Sequence, residues 1–131
     1  MSLARAQRGR GAQSRGVMAE AAAAAALERD GWTILARRLR TEAGEIDLVA
    51  EQDGLLAVIE VKARPRLAAA AAALSPRQRQ RLLGAAEQML AAHPDWGRAG
   101  VRFDVLLVDT AGQVRRVADA FRLEAEPPLR S

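Results

Sequence analysis

Gly44-Glu45-Ile46-Asp47-Leu48-Val49-Ala50 and Ala57-Val58-Ile59-Glu60-Val61-Lys62-Ala63-Arg64 are two mostly aliphatic runs that carry Asp47, Glu60 and Lys62 inside them. Side chains alternate between the two faces of a strand, so Glu60 and Lys62 share one face while Ile59, Val61 and Ala63 share the other. Asp47 stands in the middle of a second alternating run. Asp53-Gly54 between the runs is a turn signal that predicts an antiparallel hairpin. Leu55 to Val61 is too continuously apolar for a strand with one face in water and predicts a central strand covered on both sides.

Folding the hairpin would bring two carboxylates and an ammonium to one place. Two acids on neighbouring strands suit a hard divalent cation such as Mg2+ or Mn2+, which takes oxygen ligands and leaves positions for water and phosphate. Of the 20 basic residues, Lys62 is the single lysine and all the others are arginine. An arginine stays protonated and is bulky and planar, whereas a lysine is a compact charge that can orient water or neutralise a developing phosphorane at close quarters. The bland alternative is a solvent-facing Glu60–Lys62 pair, worth little energetically. Burial without compensation would cost several kcal/mol by general estimates, so the residues favour a cation or a phosphate as partner.

Gly-Glu-Ile-Asp-Leu-Val followed by Val-Ile-Glu-Val-Lys-x-Arg resembles the motif of the bacterial YraN-like family, a group within the PD-(D/E)xK nuclease superfamily. Asp47 matches the D of that motif and Glu60-Val61-Lys62 its ExK. Glu20, Gly31 to Leu35, Arg102 to Val105 and Asp119 to Phe121 match family positions as well. The family usually has glycine where this chain has Ala19 and lysine where it has Gln78. The resemblance implies a restriction-endonuclease-like core, as in Holliday junction resolvases. It also implies metal-dependent phosphodiester hydrolysis: Asp47 and Glu60 hold Mg2+ or Mn2+ together with the Val61 backbone carbonyl, Lys62 orients the attacking water, and Glu45 or Glu20 serves as an auxiliary acid.

Outward from the motif, 131 residues predict a single domain with one aliphatic, alanine-rich core. There is no cysteine, which excludes disulfides and thiolate metal sites, and no apolar run approaches the roughly 20 residues of a membrane span. The expectation is a cytoplasmic protein. Residues 1–13 read as a flexible basic tail, 14–123 as the domain and 124–131 as a second tail. A first helix is expected from Ser14, its N-cap, to Asp30, with a strand from Trp32 to Arg38. The alanine run Leu67 to Leu74 leads to a second helix with Ser75 as N-cap and Pro76 at N1. In it Leu82, Leu83, Ala86, Met89 and Leu90 face the core, and His93 lies near its final carbonyls. Val101 to Asp109 and Gln113 to Val117 complete the order α-β-β-β-α-β-β, an α/β fold with a mixed central sheet flanked by helices. Arg102 and Asp104 are expected to pair on an exposed strand face.

The net charge of +4 is modest, so clusters decide the partner. Arg5, Arg8, Arg10 and Arg15 precede the first acid. Arg37, Arg38 and Arg40, then Arg64, Arg66, Arg77 and Arg81, flank the motif and predict contacts to nucleic-acid phosphates, with DNA ahead of RNA. Phosphate contacts fix register without reading sequence, so selectivity for branched or flapped DNA is expected. A homodimer would suit two-strand cutting. The competing classes are a nucleic-acid binding module that keeps the fold without catalysis, and a basic protein that docks an acidic partner.

Overall fold

The computed structural model describes residues 3–64 and 74–121. Helix α1 (Leu3–Arg29) is followed by β1 (Thr33–Thr41), β2 (Gly44–Gln52), β3 (Leu55–Ala63), α2 (Pro76–Ala92), β4 (Gly100–Val108) and β5 (Val114–Phe121). One sheet in the order β1-β2-β3-β4-β5 results, with β3 at its centre. Its pairs are antiparallel except β3–β4, which is parallel and therefore needs a long crossover, supplied here by α2. This is the expected order and the mixed sheet flanked by helices of a restriction-endonuclease-like core.

The β2–β3 turn forms as its residues dictate. Asp53 and Gly54 both adopt positive φ, 52° and 80°, and Gln52 pairs with Leu55 across them. Two left-handed central residues give the primed turn whose twist matches a two-residue hairpin. Leu56, Ala57, Val58 and Ile59 on β3 are fully buried, as a strand covered on both faces must be. On one face α1 lays Ala19, Ala23, Ala24 and Leu27 against Trp32, Leu48, Ala50, Ala57, Ile59, Leu106 and Val108. The small alanines let the helix backbone approach the sheet closely. On the other face Leu82, Ala85, Ala86 and Met89 of α2 pack on Ile46, Val49, Leu56, Val58, Phe103, Val105 and Leu107.

The ends of the helices divide between agreement and correction. Ser75 caps α2, and its hydroxyl accepts from the Gln78 N–H while the Gln78 side chain accepts from the Ser75 N–H. Gln78, where the family pattern has lysine, is thus occupied in the cap. Helix α1 begins at Leu3 and Ser14 lies inside it, not at its start. Alanine, arginine and glutamine are strong helix formers, and no proline interrupts them. The side chains of Arg5, Arg8, Arg10 and Arg15 lie outside the described residues, as do Leu67 to Ala73 and the segment from Glu124. Strand β5 starts one residue later than expected and runs on to Phe121. His93 ends α2 with its N–H on the Met89 carbonyl, and its ring stacks on Trp96 at 3.8 Å. No described helix is long and apolar enough to cross a membrane.

Arg102 and Asp104 do pair, but not on an exposed face. Asp104 is only 1 % exposed, beneath Trp32 and bonded to Arg116 as well as Arg102. The alternation of β4 is what puts it there. Asp104 shares its face with Leu106 and Val108, and α1 covers that face.

Candidate active site

The site arises where β2 and β3 part. Their pairing ends at Leu48↔Ile59, although β3 continues beside β4 as far as Ala63↔Val108. Continuing the register would set Asp47 opposite Glu60. Instead the Asp47 carboxylate reaches across the fork, and its Oδ2 accepts the Val61 N–H at 2.8 Å. A backbone donor left unpaired by the fork is satisfied by a side chain.

The regular alternation expected around Asp47 is broken. Ile46 and Val49 pack in the α2-side cluster, but Leu48 packs on the α1 side. Strict alternation would put Ile46 with Leu48. The neighbouring strand breaks in step: Ala36 and Leu39 both pack on the α2 side, and Arg38 between them has φ 49°. A positive φ is sterically costly for a residue with a Cβ and is found where surrounding structure imposes it. Asp47 therefore sits at a kink shared by two strands.

Glu60 follows Val58 on the α2-side face, and Lys62 follows Glu60. Burial first, then the nearby Glu60 charge, raises the Asp47 carboxyl from its ordinary 3.8 to about 7, against the opposing effect of the Val61 N–H. Glu60 is raised too, again by burial, with Lys62 and Arg81 pulling the other way. Asp47 in turn favours the ionised form of Glu60, so the two half-buried acids act on each other directly. A divalent cation would relieve their repulsion, and carboxylate oxygens are the donors that Mg2+ and Mn2+ take. Within a strand a residue's N–H and C=O leave by the same edge, so the Val61 carbonyl belongs on the β2 side with its N–H.

The auxiliary acids are each paired with an arginine. Glu20 on α1 accepts from Arg38 Nε at 2.7 Å, and Arg40 lies 3.7 Å from Glu45. Arg81 on α2 lies 3.8 Å from Glu60. Among the described residues no group of three or more Asp, Glu, His or Cys is arranged to hold a metal ion. Of the remaining predicted phosphate contacts, Arg37 pairs with Glu28 at 3.6 Å, Arg64 turns its Nη1 onto the Ala63 carbonyl, and Arg77 is exposed. Arg66 lies outside the described residues.

Sequence reasoning missed what places Arg81. Gly44 has φ 151°, and a Cβ built on it would stand 2.6 Å from Arg81 Cγ and 2.8 Å from Cδ. The arginine stem crosses the bare glycine to reach Glu60. Thr41 closes the adjacent turn, its hydroxyl donating to the Gly44 carbonyl and accepting its N–H. Gly44→Ala is expected to cost about 1–3 kcal/mol through backbone strain and to free Arg81 from Glu60. Urea unfolding checks the first effect, and an unchanged midpoint would show that the glycine is dispensable.

The model of the uncharacterised protein family UPF0102 matches residues 19–108, which include the whole fork. The chain is 64% identical over 119 residues to a UPF0102 protein of Granulibacter bethesdensis, covering 91% of this chain and 75% of that one. It is 49% identical over 118 residues to a UPF0102 protein of Azorhizobium caulinodans, with 90% of each covered. A Rhodopseudomonas palustris relative is 48% identical over 106 residues, covering 81% of this chain and 82% of its own length.

Proposed function

Because this chain belongs to the uncharacterised protein family UPF0102, the group described as YraN-like, we propose its function from the site itself: metal-dependent hydrolysis of DNA phosphodiester bonds, selective for branched or flapped structure. The observation that carries the reading is the pair of half-buried acids Asp47 and Glu60 at the β2–β3 fork, Asp47 held there by the Val61 N–H, with Lys62 on the Glu60 face. Two carboxyls raised by mutual burial, beside a compact cation in a fork rimmed by arginines, are expensive for a purely structural surface and suited to phosphoryl chemistry.

In this reading Asp47 and Glu60 would hold the cation, with the Val61 carbonyl as a third oxygen donor. A bound Mg2+ or Mn2+ would polarise a phosphoryl oxygen and lower the pKa of its water. Lys62 orients a water for attack on phosphorus and steadies the negative charge that develops on the phosphoryl oxygens as the P–O ester bond to the leaving sugar oxygen breaks. Arg38, Arg40 and Arg81 meet flanking phosphates, which fixes the register of the strand without reading its bases.

The test is incubation with Mn2+ and single-stranded, flapped and four-way DNA. Lys62→Met is expected to lower cleavage by roughly a hundredfold or more while leaving the unfolding midpoint in place. Cleavage that survives in both Lys62→Met and Asp47→Asn would belong to a contaminant and would remove the enzyme reading. The absence of a three-acid group among the described residues favours a second reading, a binding module without catalysis. That reading expects salt-dependent DNA affinity with no Mn2+-dependent product.

A further inference from the structure

We propose that Arg38 and Arg81 are latches on the acids of this site, opened when a nucleic-acid phosphodiester takes their guanidinium groups, so that phosphodiester and divalent cation bind cooperatively. The proposal rests on the nuclease reading above and adds to it the order imposed by the ion pairs.

The two pairs are built alike. In each, the arginine is open to solvent and its acid is not: the side chains of Arg38 and Arg81 are 48 % and 44 % exposed, those of Glu20 and Glu60 18 % and 12 %. An incoming phosphate therefore meets the guanidinium first. Neither arginine is placed by chance of rotamer alone. Arg38 is aimed by a left-handed backbone at the kink of β1, and the Arg81 stem lies across Gly44, where any other residue would obstruct it. The pairs approach the fork from opposite faces, Arg38–Glu20 against α1 and Arg81–Glu60 from α2.

The chemistry of exchange follows. Guanidinium binds phosphate as readily as carboxylate, through the same two-pronged geometry. A phosphodiester that engages Arg38 and Arg81 leaves Glu20 and Glu60 without their cations. The Glu20 charge already bears on both Asp47 and Glu60, so release leaves three mutually repelling acids around one fork. A divalent cation relieves that repulsion, and Glu20 becomes available to it. Conversely, a cation on the carboxylates weakens their hold on the arginines and readies these for phosphate. Whatever factor one ligand adds to the affinity of the other must be returned in the opposite direction.

The experiment is titration of Mn2+ into the full chain, followed by calorimetry and by the electron paramagnetic resonance signal of free Mn2+, with and without a saturating nuclease-resistant phosphorothioate DNA flap. The wild type is expected to bind Mn2+ about tenfold more tightly with DNA present. In Arg38→Gln/Arg81→Gln the DNA-free affinity rises and the ratio falls to about one. A structural lesion would not tighten cation binding. Arg98→Gln removes the same charge from an exposed position in the turn before β4 and is expected to leave the ratio unchanged. A wild-type ratio of about one, with both ligands bound, overturns the latch and spares the nuclease reading. So does a ratio undiminished in the double variant, or one lost equally in Arg98→Gln. No Mn2+ binding in either condition overturns both.

Discussion

Asp47→Asn is expected to abolish Mn2+-dependent cleavage and, in the same protein freed of divalent cations, to raise stability at pH 8 by about 2 kcal/mol. The gain follows from the sign of the linkage. Asp47 titrates near 7 in the folded chain, chiefly because it is buried and then because it faces Glu60, against an ordinary 3.8. Below pH 4 the carboxyl is protonated in folded and unfolded chains alike. Between 4 and 7 the folded chain holds a proton that the unfolded chain has lost, so the stability given by the neutral, hydrogen-bonded acid declines as pH rises. Above 7 the fold bears the full cost of the charge. That cost is about 4 kcal/mol from the displacement alone and about half as much once water in the open fork screens it. Asparagine cannot ionise, and its carbonyl can still accept the Val61 N–H. It also removes the charge that opposes ionisation of Glu60.

Urea unfolding in EDTA from pH 4 to 8 tests this directly. The curves of wild type and Asp47→Asn should meet near pH 4 and diverge upward, and parallel curves would mean that Asp47 is not the strained acid. Mn2+ should narrow the gap at pH 8 by stabilising the wild type alone, since a ligand stabilises only the state that binds it. A residue whose removal strengthens the fold and ends the chemistry is held for the chemistry.

What the residues foretold and what they did not divide along sequence distance. The Asp53-Gly54 turn, the Ser75-Pro76 helix start and the central strand over Leu55 to Val61, buried at Leu56 to Ile59, are decided within a few residues by φ preference, capping and hydrophobicity, and each formed. Alternation set Glu60 and Lys62 on one face of β3, but Asp47 reaches the Val61 N–H only through a kink that breaks the alternation of β2. The partners of the acids did not follow. Arg38 meets Glu20 across 18 residues only because β1 kinks beneath α1, and nothing local in Ala36-Arg37-Arg38-Leu39 announces a left-handed backbone. Gly44 could be read as a family position, yet its reason is an arginine on a distant helix. The early start of α1 was missed because the weak apolar pattern of the first residues outweighed their helix propensity. Alternation placed Arg102 and Asp104 on one face but could not say that a helix covers it.

That covered face yields the other large effect. Asp104→Ala is expected to destabilise the protein by about 3–5 kcal/mol, a large share of the 5–15 typical of a domain. Asp104 Oδ2 accepts from Arg102 Nε at 3.1 Å and from Arg116 Nε and Nη2 at 3.0 and 2.6 Å. Both guanidiniums also lie over the Trp32 ring, 5.1 and 4.7 Å from its centroid. One buried carboxylate thus joins β4 to β5 and ties two cations beneath an indole that closes the α1 side of the core. Deleting it leaves two positive charges facing each other over the aromatic ring, and breaking a buried pair costs more than the pair contributed. Urea unfolding followed by Trp32 fluorescence in a Trp96→Phe background measures the loss. The same background reports whether the arginines leave the ring. If the charges are the cause, Arg102→Met/Asp104→Leu/Arg116→Met should recover most of what Asp104→Ala loses, since apolar replacement of a whole buried ion cluster is often neutral or better. Failure of that rescue would place the cost in packing volume instead. Asp47 and Asp104 differ by environment: one acid is raised by burial beside another acid, and the other is paired with two arginines.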